Sequence, residues 1–197
     1  MWSDLDGLKR LNETHTELAA NQLARAFENY PTFVYVYPDD SEREDKLPHL
    51  FKSMVYKGLL QGEVYATSPA MEGVTVWLPP GIDGGLSKAF EVDREAYERF
   101  AYYGKCVYAV RQKHAPTQHW FLELIGVVPE FQGKGFAGRM LRPMLDRIDQ
   151  ENLSCYLDTE VEENVAIYQH YGFRALDDMI VPGTEVRSWG MLRDKRG

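Results

Sequence analysis

The stretch QGKGFAGRML, residues 132–141, places Gly133, Gly135 and Gly138 in a G-x-G-x-x-G spacing. The apolar run HWFLELIGVV, residues 119–128, precedes it, and apolar residues at helical spacing follow it. Small residues at the start of a helix let consecutive backbone N–H groups face one anion, and the helix dipole adds to the attraction. The stretch therefore predicts a strand, a phosphate-binding loop and a helix.

Three kinds of phosphate loop share parts of this pattern. A dinucleotide-binding loop needs its first glycine directly after the strand and a large parallel sheet, but residues 129–132 intervene and only residues 134–197 follow. Asp158 and Glu160 also lie beyond the usual place of its ribose-binding acid. A Walker A loop is excluded because position 128 is valine and position 135 is glycine. A CoA pyrophosphate loop, Q/R-x-x-G-x-G/A, is satisfied by Gln132, Gly135 and Ala137.

A second motif lies downstream, in NVAIYQHYGF, residues 164–173. It has the form N-x-x-x-Y-x-x-x-G-F, with Asn164 and Tyr168 at its first two fixed positions. With the glycine loop, it resembles the GNAT superfamily of N-acetyltransferases and, over residues 119–193, its puromycin N-acetyltransferase-like branch. The resemblance implies an α/β fold with a mixed central sheet of about six or seven strands and helices on both faces. It also implies direct transfer of an acetyl group from acetyl-CoA to a primary amine of a small molecule.

Periodicity and turn residues predict the remaining elements. Helices are expected over residues 14–29, 39–60, 86–112 and 136–148, with breaks considered at Pro48 and Gly104 and a kink at Pro143. An aromatic stretch broken by two prolines follows the first helix. A hairpin is expected from residues 62–68 and 73–78, and a short helix over residues 164–171. Further strands are expected over residues 119–128, 153–159, 172–176 and 186–192.

The length of 197 residues predicts one domain, residues 1–197. Residues 116–197 carry the motifs and are expected to form the acetyl-CoA-binding core. Residues 1–115 carry none and are expected to form the variable acceptor-binding part.

Composition limits the partners of the chain. A formal net charge of -8, from 30 acidic and 22 basic residues, argues against a nucleic-acid partner. The first residues lack the apolar core of a signal peptide, and no apolar run is long enough to span a membrane, so a cytoplasmic protein is expected. Cys106 and Cys155 are expected as reduced thiols, and no cysteine–histidine cluster suggests a metal. The oligomeric state stays open, with a homodimer as one option.

The resemblance implies a set of residues that bind acetyl-CoA. Its pantetheine would pair with the backbone of residues 125–128 in a gap beside the strand, and an N–H near Val127 would stabilise the oxyanion. The loop of residues 132–138 would hold the pyrophosphate, and Asn164 would contact the cofactor or cap its helix. The expected cofactor-binding residues are Ile125, Val127, Val128, Gln132, Gly133, Lys134, Gly135, Phe136, Ala137, Gly138 and Asn164.

Two side chains are candidates for proton transfer. By its place in the motif, Tyr168 is the candidate general acid toward the CoA thiolate, with sheet packing as the alternative. Glu123 is the candidate general base because it is the one acid in an apolar strand. Strand alternation predicts that Glu123 shares a side with Phe121, Ile125 and Val127. A structural salt bridge or a solvent contact is the alternative for Glu123, and His119 is the second candidate base.

The acceptor pocket is expected in the first half of the chain. An aromatic pocket would suit an aryl or cationic amine, and core packing is the alternative for each residue. Its candidate residues are Tyr30, Phe33, Tyr35, Tyr37 and Trp77. Two other functions remain as alternatives: a non-catalytic CoA-binding module with a sensing or structural role and, more weakly supported, a nicotinamide oxidoreductase.

Overall fold

The computed structural model describes Leu5 and residues 7–87 and 92–195, and the described strands form one mixed sheet. The strands are β1 Lys9–Arg10, β2 Glu63–Ala66, β3 Gly73–Leu78, β4 His119–Val127, β5 Ser154–Thr159, β6 Arg174–Ile180 and β7 Arg187–Arg193. Their spatial order is β1-β2-β3-β4-β5-β7-β6. The neighbours β4 and β5 are parallel, and the other neighbouring pairs are antiparallel. The predicted mixed sheet of six or seven strands is confirmed.

Helices cover both faces of the sheet. They are α1 Thr16–Phe27, α2 Pro31–Val36, α3 Asp40–Gln61, α4 Arg94–His114, α5 Phe136–Gln150 and α6 Glu162–His170. Apolar residues of α1, α2 and α3 pack on one face together with Val76 and Leu124. Apolar residues of α5 pack on the other face together with Trp77 and Leu122. This sandwich fixes β3 and β4 between two cores.

Several predicted boundaries are corrected by the structure. Pro48 does not divide its helix, since α3 runs unbroken and buries Leu47, Leu50 and Phe51 around it. Gly104 lies inside α4 without interrupting it. Residues 86 and 87 belong to a loop, because α4 begins at Arg94 after the Asp93 cap, and residues 88–91 of the predicted helix fall outside the described part.

Two more elements differ from the prediction. The aromatic stretch forms a helix, α2, because Pro31 occupies its first turn, where a proline costs no hydrogen bond. The strand predicted over residues 172–176 begins later and runs longer, as β6. Its pairing with β7, which runs from Arg174 opposite Leu192 to Ile180 opposite Arg187, explains the extension.

The parallel strands β4 and β5 separate halfway along β4. Their pairing ends at Leu122 and Leu157, whereas β4 continues to Val127. The rest of β5 pairs with β7 on its other edge. One edge of β4 therefore faces a gap from Glu123 onward.

A β-bulge lies at Glu123 and reverses the face of the sheet to which the following side chains of β4 point. Leu122 and Leu124 pair with the consecutive residues Trp77 and Val76, which leaves Glu123 as the extra residue. Leu122 consequently packs with the α5 core, whereas Leu124 packs with the core of α1 and α3.

The predicted grouping of Glu123 with all three of its neighbours is therefore wrong. Phe121 packs against the core of α1 and α3, but Ile125 and Val127 pack against the α5 core. Simple alternation fails here because the extra residue reverses the side-chain direction beyond it.

No helix in the described ranges is both long and apolar enough to cross a bilayer. The two cysteines are free thiols, with Cys155 fully buried and Cys106 partly buried.

Candidate active site

A cavity of about 570 Å³ lies beside the gap between β4 and β5. Its polar wall includes Glu123 from β4, Asp158 from β5, and Asn164 and Tyr168 from α6. The cavity therefore brings together both predicted catalytic residues and two predicted cofactor residues, Asn164 and Ile125. Its aromatic wall comes from the helices α1, α2 and α4, the residue before α2, and β4: Phe27, Tyr30, Phe33, Tyr97, Phe100, Tyr103, Tyr108 and Phe121.

Glu123 has one engaged and one unengaged carboxylate oxygen. Its Oε1 accepts a hydrogen bond from the backbone N–H of Gly85 at 2.6 Å. Its Oε2 is buried and has no hydrogen-bond partner among the described residues. Burial raises the pKa of Glu123 to about 7, although Gly85, Lys57 and Arg111 oppose that rise. This carboxylate is suited to accept a proton at neutral pH.

Glu123 makes no salt bridge within 4.0 Å in the described part of the chain. The cations that act on it are the more distant Lys57 and Arg111. The guanidinium of Arg111 is paired with Asp83 at 2.9 Å and lies 4.2 Å from the ring centroid of Phe121. The structural-salt-bridge alternative for Glu123 therefore finds no support in the geometry.

Two further acids, Asp158 and Glu160, line the cavity and were not predicted as site residues. Burial, and next the adjacent Glu160, raise the pKa of Asp158 to about 8. Glu160 is 8% exposed and accepts hydrogen bonds from Tyr103 Oη at 2.5 Å and Ser188 Oγ at 2.9 Å. Burial also raises the pKa of Glu160. The available sequence signal was two acids at the end of an apolar strand, at the edge where parallel strands carry their sites.

Tyr168 is buried, lines the cavity and packs edge to face on Phe173. Burial, and next the charge of Glu160, raise the pKa of its phenol. The hydroxyl therefore keeps its proton at neutral pH and is suited to act as a donor. Packing on the sheet and exposure to the cavity coexist, so the two interpretations of Tyr168 are compatible.

Asn164 does not cap its helix. The N-cap is Val161, and the side chain of Asn164 instead donates to Thr159 Oγ1 at 3.3 Å. The capping interpretation is wrong because α6 begins at Glu162, two residues earlier than predicted. Asn164 lines the cavity, which leaves it available to a ligand.

The backbone of β4 turns polar groups toward the gap. Val128 N–H donates to Glu72 O on the β3 side at 2.9 Å. Because successive N–H groups of a strand face opposite edges, the Val127 N–H faces the gap. Ile125, two residues earlier, has the same orientation. The Val127 carbonyl accepts a hydrogen bond from Gln132 Nε2 at 3.0 Å, so Gln132 bridges the strand end and the glycine loop.

The glycine loop leads into α5 with free backbone donors. Gly133 and Gly135 have φ of 71° and 81°, a left-handed conformation that favours glycine. Gly135 is the N-cap of α5, no side chain caps that helix, and Arg139 N–H bonds back to Gly135 O at 3.1 Å. The first-turn N–H groups of Phe136, Ala137 and Gly138 are thereby left for an outside acceptor. Lys134 folds back instead, since its Nζ donates to Glu130 O at 2.7 Å.

Two of the five aromatic residues predicted for the acceptor pocket line the cavity. Tyr30 and Phe33 line the cavity. Trp77 lies in the α5 core, on the opposite face of the sheet, because adjacent residues of β3 alternate between two buried faces. Tyr37 is fully buried in the core of α1 and α3, and Tyr35 packs against that core.

His119 does not join the cavity either. It begins β4, and its Nδ1 lies 2.5 Å from Pro116 O. Burial lowers its pKa. Within the described residues, no group of three histidine, cysteine or acidic residues is placed to hold a metal ion.

Known proteins match this chain in sequence and in fold. Residues 96–173 match the Acetyltransferase (GNAT) family model. An uncharacterized N-acetyltransferase of Schizosaccharomyces pombe is 27% identical over 183 residues, covering 84% of this chain and 73% of that protein. The solved structure of a histone acetyltransferase HPA2 and related acetyltransferase from Corynebacterium glutamicum matches with a TM-score of 0.71 and 18% identity over 96% of both chains.

Arylalkylamine N-acetyltransferase 2 from Aedes aegypti matches with a TM-score of 0.62 and 12% identity, over 96% of this chain and 98% of the mosquito protein. At such identities the solved structures establish the fold. The mixed seven-stranded sheet with helices on both sides is a GNAT fold, and the family match supports placing the chain in the GNAT superfamily of acetyltransferases.

Proposed function

We propose that this protein is an acetyl-CoA-dependent N-acetyltransferase that acts on a primary amine of a small molecule. The observation that carries the proposal is the unengaged Oε2 of Glu123, which lies in the same cavity as the phenol of Tyr168. A base and an acid on one cavity wall match the two proton transfers of acyl transfer from a thioester to an amine. The motifs over residues 119–193 further favour the puromycin N-acetyltransferase-like branch.

The gap and the glycine loop are suited to acetyl-CoA. The backbone of Ile125 and Val127 offers hydrogen bonds along the gap, as a pantetheine amide chain requires. The uncapped start of α5 offers N–H groups to a pyrophosphate. The Val127 N–H faces the gap, where it can donate to the oxyanion that forms when the thioester carbonyl is attacked.

Glu123 would accept a proton from the substrate, and Tyr168 would donate one to the leaving group. The substrate ammonium loses a proton to Glu123 Oε2, and the neutral amine attacks the thioester carbonyl carbon. The C–N bond forms, the C–S bond breaks, and the CoA thiolate takes the proton of Tyr168. The nitrogen of the new amide gives its second proton to the Tyr168 phenolate, which restores the phenol, and Glu123 releases its proton to solvent. Because the pKa of Glu123 is about 7, the carboxylate is ionised in much of the population at neutral pH.

The aromatic wall and the buried acids describe the acceptor. A cavity lined by nine aromatic rings, Tyr168 included, accommodates a flat apolar body. Three acids, Glu123, Asp158 and Glu160, line the cavity, and a bound cationic group would favour their ionised forms whereas an anionic group would oppose them. Both features support a small amine as acceptor.

A panel of aminonucleosides, arylalkylamines, polyamines and amino acids, assayed for CoA release with acetyl-CoA, tests the function. At least one primary amine should turn over, and Glu123→Gln should lower kcat about 100-fold or more. Tyr168→Phe should lower kcat while CoA affinity, measured by calorimetry, is kept. Glu98→Gln and Tyr102→Phe, two changes on the outer part of α4, serve as matched controls.

Two outcomes would contradict the proposal. Tight CoA binding without turnover of any amine would identify the non-catalytic module instead. Reaction of hydroxyl acceptors alone would contradict transfer to nitrogen.

A further inference from the structure

The loop PPGIDGG, residues 79–85, reaches over the cavity and contacts Glu123 closely. The Gly85 N–H donates to Glu123 Oε1 at 2.6 Å. A Cβ at Gly84 would lie 2.9 Å from the same oxygen and 3.0 Å from Phe121 Cε1. The side chains of Glu123 and Phe121 therefore occupy the place that a side chain at position 84 would need, and the Gly85 N–H fixes one carboxylate oxygen of Glu123.

The loop is itself held from the opposite side. Lys57 lies on α3, and its Nζ donates to the Gly84 carbonyl at 2.8 Å. A single peptide unit thus joins the two contacts, because Gly84 O and Gly85 N belong to the same peptide group. A peptide that accepts from an ammonium and donates to a carboxylate is polarised in the sense that strengthens both bonds.

We propose that Lys57 is a positioning residue for Glu123 and acts through the Gly84–Gly85 peptide. It holds Oε1 against the loop so that Oε2 points into the cavity. This inference rests on the proposed function, in which Glu123 is the base. It assigns a specific role to a lysine and a diglycine of the acceptor-binding half, which carries neither motif.

The charges around Glu123 set the direction of the expected pH effect. Lys57 from α3 and Arg111 from α4 are the cations that lower its pKa, and the guanidinium of Arg111 is paired with Asp83. Removing the Lys57 charge disfavours the ionised carboxylate, so the pKa of Glu123 should rise. The fraction of active base at a fixed pH should fall accordingly.

The test compares Lys57→Met and Lys57→Arg with the parent protein. The pKa of Glu123 is read from its side-chain ¹³C carboxyl resonance, identified by its loss in Glu123→Gln. The Lys57→Met change should raise that pKa by about half to one pH unit and move the acid limb of kcat/KM by the same amount. Lys57→Arg keeps a cation within reach of the Gly84 carbonyl and should restore much of the parent profile.

The control is Lys52→Met on the same helix. Lys52 pairs with Glu17, away from the cavity, so its removal should leave both the resonance and the rate profile unchanged. A profile of Lys57→Met that superimposes on the parent would overturn the proposal. A raised KM for the amine at unchanged pKa would also overturn it, because Lys57 would then act on the substrate directly.

A second variant tests the loop with the charge of Lys57 intact. Gly84→Ala should displace Glu123 and lower kcat at least tenfold, with KM for acetyl-CoA unchanged. A kcat within twofold of the parent would overturn the proposal that the loop positions Glu123. The carboxyl resonance of Glu123 can be measured without turnover. An absence of acyl transfer would therefore contradict the proposed function, whereas the resonance would still decide whether Lys57 positions Glu123.

Discussion

The phenol oxygen of Tyr30 lies 3.0 Å from the hydroxyl oxygen of Thr159. The same phenol accepts the backbone N–H of Glu160 at 3.1 Å, and Thr159 accepts the amide of Asn164 at 3.3 Å. This polar chain runs from the residue before α2 to the end of β5 and on to α6. It ties the predicted acceptor part, residues 1–115, to the predicted acetyl-CoA core, residues 116–197, at the wall of the cavity.

Tyr30→Phe should destabilise the protein, because it leaves the N–H of Glu160 without its acceptor in a buried place. The expected loss is about 1–3 kcal/mol in the free energy of unfolding. Urea denaturation measures it. Tyr97→Phe is the control, since the residue is 53% exposed on α4 and the change in unfolding free energy should stay within about 0.5 kcal/mol. Equal stabilities of the two variants would show that the hydrogen bonds of Tyr30 contribute nothing to the free energy of unfolding.

The residues at the wall of the cavity show how far the sequence could predict the site. Glu123 and Tyr168 were identified because one is an acid in an apolar strand and the other holds a fixed motif position. The bulge at Glu123 left no sequence signal, since it depends on how β4 pairs with β3. The hydrogen bond from Gly85 to Glu123 could likewise not be predicted from the sequence, because it joins residues that are 38 positions apart.

The close packing of α1 on β4 predicts a specific pair of stability effects. A Cβ at Gly126 would lie 2.8 Å from Leu23 Cδ2 and 2.9 Å from Phe27 Cε2. Gly126→Ala should therefore cost about 1–3 kcal/mol of unfolding free energy. Gly104→Ala should have the opposite sign, because its Cβ meets nothing within 4 Å inside α4, and should stabilise by roughly 0.5–1 kcal/mol. Thermal unfolding compares the two, and destabilisation by both changes would contradict this packing.

The glycine loop allows a second matched pair, which separates backbone strain from ligand binding. Gly135 and Gly183 have φ of 81° and 75°, and a Cβ at either position would meet nothing within 4 Å. Alanine at either position should therefore lower the unfolding free energy by a similar amount, about 1–2 kcal/mol. Gly135→Ala should also weaken CoA binding, because strain at the N-cap reorients the first N–H groups of α5. Gly183→Ala, between β6 and β7, should not.

Calorimetric titration of CoA into both variants decides that comparison. Equal CoA affinities would show that the start of α5 does not hold the pyrophosphate.

The aromatic residues show why the proposed acceptor pocket is harder to predict than the proposed CoA-binding loop. Trp77 and Val76 are adjacent, and both are completely buried, so composition alone could not tell which of them lies on the face of the sheet that carries α1 and α3. The proposed CoA-binding residues lie mostly in one strand–loop–helix unit, which short motifs describe. The proposed acceptor-binding residues come from distant helices, whose arrangement no short motif encodes.

The raised pKa of Asp158 predicts how the stability depends on pH. An aspartate of the unfolded chain titrates near pH 4, whereas burial, and then Glu160, raise the folded pKa of Asp158 to about 8. Between these values the folded state binds a proton that the unfolded state does not, so this group lowers the stability as pH rises from about 4 to about 8. Asp158→Asn cannot ionise. Its stability relative to the parent should therefore grow across the same window, as measured by urea midpoints from pH 4.5 to pH 8.

Asp178→Asn is the control with the opposite sign. A hydrogen bond from Arg187 lowers the pKa of Asp178, so its carboxylate stabilises the folded state above the unfolded pKa and loses that contribution as pH falls. The Asp178→Asn variant should be less stable than the parent near pH 7, and the difference should shrink toward acid. A pH-independent offset for Asp158→Asn would show that this carboxyl group is ionised in the folded protein throughout the window, and that the cavity holds a fixed negative charge in place of a proton.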